Sequence, residues 1–184
     1  MTKQIGTTSE QILVAALKRG EERAFTEVMD LYKTQIVNTV FGMLGSVAEV
    51  DDVGQEVFVR FFKNIANFKG EAKISTYLTR IAINLSLNAL KKRKRNWRLL
   101  YSADYSEYTM QNLYHQEELE LDDRTVLLRS SILILDEKYK QVVVLRVFQD
   151  LSFKEISEVL ELPIGTVLTR FSRAQKKLIA LMNK

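Results

Sequence analysis

The sequence predicts an all-α protein built as two small helical domains joined by a flexible acidic linker. Three observations predict it. Apolar residues recur at three- and four-residue steps along most of the chain, with few strand-like alternations. Glycine and proline are scarce, seven and one in 184 residues. An acidic stretch without helical periodicity in its first half separates two basic blocks. The expected boundaries are residues 1–95 for the first domain, 96–123 for the linker and 124–184 for the second domain. With 46% hydrophobic residues the chain can bury a substantial core.

The net charge is only +4, but it is unevenly spread. Residues 1–95 carry 15 basic and 10 acidic side chains, residues 96–123 carry 1 and 7, and residues 124–184 carry 11 and 6. Two basic blocks around an acidic strip point to polyanion contacts at both ends. The absence of cysteine excludes disulfides, thiolate metal sites and cysteine nucleophiles, and fits a reducing compartment. No apolar run reaches the roughly 18 to 20 residues of a membrane span, and the polar start is not that of a signal peptide, so a cytoplasmic protein is expected. His115, the only histidine, lies in the acidic strip and is expected at the surface rather than as a metal ligand or base.

The elements follow in order. Ser9 is placed to cap a short helix, EQILVAALKR, that stops at Gly20. A longer helix follows, with Phe25, Val28 or Met29, Tyr32, Ile36, Val40 and Met43 on one face. The third, VDDVGQEVFVRFFKNI, turns Val50, Val53, Val57, Phe61 and Ile65 inward and leaves Asp51, Asp52, Gln55, Glu56 and Arg60 outside. Acids in its first turn would complement the helix dipole, which accounts for two of these residues but not for the whole face. The loop ANFKGEAKIS carries Phe68, Lys69, Gly70 and Ala72, an aromatic beside a basic turn that could seat an unstacked base or could simply be core.

The fourth helix begins near Ser75 and has Ile74, Tyr77, Leu78, Ile81, Leu85 and Ala89 as its inner stripe. Arg80, Asn84, Asn88 and Lys92 stand at four-residue steps on the other side and form one row. Asparagine is a mediocre helix former, so two of them a turn apart on an exposed face need a reason. They can pair with base edges while Arg and Lys hold phosphates; a solvated cationic face is the alternative. The helix ends in the basic run Lys91–Arg95.

The last block opens with Ser152 and Glu155 at capping-box spacing, followed by a short helix through Ile156 and Val159. Leu162, Pro163 and Gly165 make a turn and a fresh start. The next helix would bury Ile164, Val167, Phe171, Ala174 and Leu178 and show Thr166, Leu168, Thr169, Ser172, Arg173, Lys176 and Lys177. A short helix, a tight turn and a second helix with a hydroxyl and basic face form a helix-turn-helix, whose second helix enters the major groove. A purely structural helical hairpin is the alternative.

The segments DDVGQEVFVRFFKNI, GEAKISTYLTRIAINLSLNALKKRKR and LSFKEISEVLELPIGTVLTRFSRAQKKL resemble the two regions shared by bacterial extracytoplasmic-function sigma factors, the compact group of the sigma-70 family. The resemblance runs from about Ala24 to Leu178. It implies a non-enzymatic protein without cofactors that binds core RNA polymerase, through its β and β′ subunits, and promoter DNA. In the first domain, Asn84 and Asn88 would read bases of the melted minus-ten element. The Phe68, Lys69, Gly70 and Ala72 loop would hold a flipped base, and Arg80, Lys91, Lys92 and Arg93 would grip phosphates. In the second, Leu168, Thr169, Ser172 and Arg173 would face bases of the minus-thirty-five element, and Thr166, Arg170, Lys176 and Lys177 its backbone. Asp51, Asp52, Gln55, Glu56 and Arg60 would meet the clamp helices of β′, and the acidic linker would thread toward the active-centre cleft. Relatives are often held inactive by a membrane-bound anti-sigma factor, which makes such a regulator a further partner to test.

Some positions depart from the family pattern. Leu135-Asp136 stands where Leu-Pro is common, Tyr77 where Trp is common, Gly54 interrupts a helix, and Leu168 replaces a basic or polar residue. The competing reading is a stand-alone helix-turn-helix regulator that binds duplex DNA without polymerase. It leaves the aligned Asn84 and Asn88 unexplained.

Overall fold

The computed structural model describes residues 7–45, 47–100 and 123–183. Among them run eight helices and no strand: α1 Thr7–Lys18, α2 Glu22–Leu44, α3 Val47–Lys63, α4 Ile74–Leu100, α5 Asp123–Ile134, α6 Glu137–Val147, α7 Phe153–Leu160 and α8 Ile164–Met182, with a 3-10 turn at Ile65–Asn67 between α3 and α4. The fold class is therefore all-α, as the spacing of apolar residues predicts.

Helices α2, α3 and α4 form the first bundle. Their shared core holds Val28, Ile36, Val40, Val57, Phe61, Ile74 and Leu78, all fully buried. Helix α1 packs along α2, and its Glu10 carboxylate accepts the backbone N–H of Ile74, the first residue of α4, where the positive end of the helix dipole favours a carboxylate. Helix α2 ends at Gly45, which takes the left-handed conformation at φ 68° and donates its N–H to the Phe41 carbonyl at 2.8 Å. Without a Cβ, Gly45 also leaves room for the Leu133 side chain.

Helices α5 to α8 form the second unit. Val142, Val143, Val144 and Leu145 are all buried, because α6 lies against α2 on one side and α8 on the other. Asp136 precedes α6 at the N-cap position but caps nothing with its side chain, which pairs with Lys177 at 3.2 Å. Ser152 and Glu155 make the expected capping box: the Ser152 hydroxyl accepts from the Glu155 N–H at 3.3 Å, and the Glu155 carboxylate accepts from the Ser152 N–H at 2.9 Å. The turn between α7 and α8 is set by Glu161 at φ 53° and by a hydrogen bond from the Ser157 hydroxyl to the Leu162 carbonyl.

The two units share one continuous core across α2, α5 and α6. At Gly42 the helices approach so closely that an added Cβ would lie 3.0 Å from Val144 Cγ1.

Several local expectations need correction. Helix α1 starts at Thr7, so Ser9 lies inside it and does not cap it. Helix α3 starts at Val47, which moves Asp51 and Asp52 out of the first turn, and it runs unbroken through Gly54. Helix α4 continues to Leu100, five residues into the stretch expected to be linker, because a basic run does not stop a helix that nothing else breaks. Ile164 is exposed rather than buried, since it begins α8 just after the turn. Residues 101–122, with His115 and most of the acidic strip, lie outside the described residues.

Candidate nucleic-acid interface

On α4, Asn84, Asn88 and Lys92 are exposed on one side, in the row their spacing predicts. Position 80 differs. Arg80, with a side chain only 29% exposed, reaches onto the end of α7, where it donates to the carbonyls of Glu158 (2.8 Å) and Val159 (3.3 Å) and pairs with Glu161 at 2.7 Å.

The basic run Lys91–Arg95 is divided by helical geometry, since successive residues turn by about 100° and five of them cannot share a face. Lys91, Lys92 and Arg95 are exposed. Arg93 turns back to pair with Glu49 on α3 and to donate to the Leu44 carbonyl at 3.2 Å, tying the ends of α2 and α3 to α4. Lys94 pairs with Glu137 on α6 at 3.0 Å. Arg93 is thus a structural clasp in this chain, not a free phosphate donor.

Phe68 is a second correction. It is only 6% exposed, with its ring centroid 5.2 Å from Tyr77 and 6.4 Å from Phe61, so it belongs to the core and offers no face to a base. Lys69 and Gly70 beside it are exposed and Ala72 is half-buried.

The outer face of α3 keeps the expected composition. Asp51, Asp52, Gln55 and Arg60 are exposed and Glu56 is half-exposed, with Arg60 and Glu56 joined at 2.7 Å across one turn. Such an exposed pair contributes only about 0.3 to 0.5 kcal/mol, so stability gives little reason for the composition of this face.

On α8, Val167 and Ala174 are buried in the core, which turns Leu168, Thr169, Ser172, Arg173 and Lys176 outward. Leu168 is 45% exposed, enough for apolar contact with a partner. Thr166 and Arg170 are half-buried, and the Thr169 hydroxyl bonds back to the Gly165 carbonyl at 2.8 Å. Lys177 is exposed but pairs with Asp136 and lies 5.4 Å from the Tyr139 ring centre.

Two titrating groups sit close to these surfaces. Burial, then repulsion by Lys94 and Arg93, lowers the Lys140 ammonium to about 7, against the attraction of Glu137. Hydrogen bonds from Ser152 hold the Glu155 carboxyl below its ordinary value. Among the described residues no cluster of His, Cys, Asp and Glu could hold a metal ion, and no helix is long and apolar enough to cross a membrane.

Sequence reasoning missed the contact of Arg80 with α7 and the burial of Lys140. The first has main-chain acceptors, which leave no mark in a sequence. The second follows from the apolar neighbours Tyr139 and Val142–Leu145, which surround a lysine in an otherwise hydrophobic run.

Comparison with known proteins agrees with this arrangement. The family model for Sigma-70 region 2 matches residues 28–96, and that for Sigma-70 region 4 matches residues 125–178. The chain is 33% identical over 172 residues to the ECF RNA polymerase sigma factor SigW of Bacillus subtilis, covering 90% of this chain and 92% of that one. It is 30% identical over 175 residues to the RNA polymerase sigma-H factor of Pseudomonas aeruginosa, covering 91% and 90%. Its fold resembles that of CnrH, solved with the cytosolic domain of CnrY, at a TM-score of 0.68 and 24% identity over 95% of this chain and 97% of that one. It also resembles the sigma factor RpoE of Bartonella quintana, solved with the anti-sigma factor NepR, at 0.65 and 16% identity over 86% and 96%. The exposed asparagine row of α4 falls within the first matched region and the helix-turn-helix within the second, so the chain belongs to the extracytoplasmic-function group of the sigma-70 family.

Proposed function

We propose that this chain binds core RNA polymerase and directs it to promoters, reading the minus-ten element as melted single strand with α4 and the minus-thirty-five element as duplex with α8. The observation that carries the reading is the exposed row of Asn84, Asn88 and Lys92, with Lys91 and Arg95 beside it. Two asparagines one turn apart present paired donors and acceptors to base edges, and the lysines supply charge for the phosphates between them.

The mechanism is melting by capture, with no bond made or broken in the DNA. Unstacking a base costs a few kcal/mol. Binding of the extruded base at the Lys69, Gly70 and Ala72 turn, together with phosphate contacts from Lys91, Lys92 and Arg95, offsets that cost. Phe68 and Arg93 take no part, being held in the core and at the Glu49 clasp. On α8, Thr169, Ser172 and Arg173 are the base-facing candidates, Leu168 suits a thymine methyl, and Thr166, Arg170, Lys176 and Lys177 lie toward the backbone. The exposed acids of α3, with Gln55 and Arg60, form the candidate surface for the β′ clamp helices. The expected domain limits, 1–95 and 124–184, and a cytoplasmic site of action belong to the same reading, as does an anti-sigma partner. The solved relative RpoE is bound to the anti-sigma factor NepR, and CnrH to the cytosolic domain of CnrY.

Run-off transcription from a promoter panel, with bacterial core polymerase, tests the proposal. Asn84→Ala should re-rank the promoters, since each lost base contact changes discrimination by about 1 to 3 kcal/mol. Lys92→Ala should lower all of them alike. A uniform loss in Asn84→Ala contradicts base reading by α4.

A further inference from the structure

The turn proposed to take the extruded base, residues 69–73, is tied down at both ends. Before it, Phe68 is buried beside Phe61 and Tyr77 and donates its N–H to the Ile65 carbonyl at 3.1 Å. After it, Ile74 is fully buried and opens α4. Between these anchors Lys69, Gly70, Glu71 and Lys73 are exposed, and Gly70 takes a left-handed φ of 75°. The Lys73 carbonyl accepts from the Tyr77 N–H at 3.1 Å, which puts Lys73 at the N-cap, where an ammonium has no lone pair to offer the unpaired amides of the first turn. The acceptor comes from 64 positions earlier in the chain: Glu10, half-buried on α1, takes the Ile74 N–H with one carboxylate oxygen. The same carboxylate lies near the buried Tyr32 phenol, where its charge adds to burial in raising that group to about 12. Helix α1 also packs against the 3-10 turn that leads into Phe68. One helix thus holds both approaches to the turn, and Glu10 lies before residue 28, where the region 2 match begins.

We propose that Glu10 is a positioning residue for base capture, acting on the 69–73 turn through the Ile74 N–H without itself touching DNA. The inference rests on the reading of that turn as the seat of an extruded base. A seat that must order itself on binding loses affinity, and a turn containing Gly70 has much backbone freedom to lose. Its rigidity therefore comes from its anchors. Phe68 is anchored by packing, and Ile74 by packing and by the Glu10 carboxylate, which suits the positive end of α4 and fixes where the helix starts. Attraction of DNA is not the role of this charge. A carboxylate beside a basic turn repels phosphate, so by charge alone its removal should tighten binding to every oligonucleotide. Positioning requires a loss instead, confined to strands in which the captured base is present.

The test compares full-length wild type, Glu10→Ala and Glu10→Gln, each assembled with bacterial core polymerase. The probes are the single-stranded minus-ten strand of the promoter that ranks first in the run-off panel and the same strand with an abasic site at each position in turn. Wild type should show a position at which removing the base costs about fivefold or more in affinity. In Glu10→Ala that penalty should shrink by about threefold, while the abasic strand binds at least as well as it does to wild type. Glu10→Gln keeps an oxygen that can accept the Ile74 N–H and should keep the penalty. Glu10→Asp, one methylene shorter, should also shrink the penalty and serves where the alanine chain does not fold. An unchanged penalty in the folded variant overturns the positioning role, even if its melting temperature falls. A penalty lost equally in Glu10→Gln overturns the hydrogen bond as its means. Amide hydrogen exchange of the free chain separates this failure from that of the underlying reading. Exchange at Ile74 should be about fivefold faster in Glu10→Ala than in wild type, and equal rates overturn the Glu10 contact whatever the DNA result. Faster exchange with no costly position in wild type leaves the contact standing but overturns base capture, and the positioning role with it.

Discussion

Replacing Lys140 by methionine should stabilise the protein at neutral pH, and the gain should shrink as pH rises. Lys140 is 3% exposed, and its ammonium donates to the Leu133 carbonyl near the end of α5. Burial, seconded by Lys94 and Arg93 and opposed by Glu137, lowers it from 10.5 to about 7. Between those two values the unfolded chain binds the proton that the folded chain releases, so stability rises with pH at up to about 1.4 kcal/mol per unit. Below about 7 both states are charged and the cost is constant, on the order of 4 kcal/mol. Methionine keeps the unbranched length and removes the charge, but loses a hydrogen bond worth about 1 kcal/mol net. The expected gain is therefore about 2 to 4 kcal/mol at pH 6.5, falling toward zero by pH 10. Urea unfolding of both proteins at pH 6.5, 8 and 9.5 measures it. A difference that does not change with pH, or a less stable variant at pH 6.5, refutes the reasoning.

Arg93→Ala should lower stability by about 1 to 3 kcal/mol, because it strands Glu49 and the Leu44 carbonyl, while leaving the salt slope of DNA binding unchanged. Lys92→Ala should do the reverse, lowering that slope by about one, and titrations of oligonucleotide binding at several salt concentrations separate the two. Ser152→Ala should cost about 1 kcal/mol by thermal melting. The folded Glu155 carboxyl is held below its ordinary value, so its contribution is present above the unfolded value and lost as pH falls through the folded one. The advantage of wild type over Glu155→Gln should accordingly be seen at pH 7 and vanish in acid. Gly54→Ala, inside α3 with nothing within 4 Å of the new Cβ, should stabilise by about 0.5 to 1 kcal/mol, whereas Gly45→Ala should destabilise through its left-handed φ and the Leu133 side chain.

The helices of the first unit were legible because one face of each is buried and the other is wet. Val28, Tyr32, Ile36, Val40 and Met43 carry that contrast plainly, as do Val50, Val57 and Phe61. Helix α6 shows none of it, since Val142–Leu145 are covered on both sides and four apolar residues in a row have no period. The row of Asn84, Asn88 and Lys92 could be read from four-residue spacing alone. The fates of Arg93 and Lys94 could not, because they depend on which flank of α4 meets α2, α3 and α6. Phe68 illustrates a different limit: an aromatic in a loop is equally suited to core and to stacking, and only the neighbouring rings of Phe61 and Tyr77 decide. The docking of α7 on Arg80 was hidden for a chemical reason, since two of its three acceptors are backbone carbonyls common to every residue.

Gel filtration of the full-length protein with bacterial core RNA polymerase at moderate salt tests whether this chain works as part of a polymerase. The chain should move into the polymerase peak, and an Asp52→Ala, Glu56→Ala double variant, changed only on the outer face of α3, should move there less. A folded chain that elutes apart from polymerase would contradict the account and leave a protein that binds duplex DNA alone.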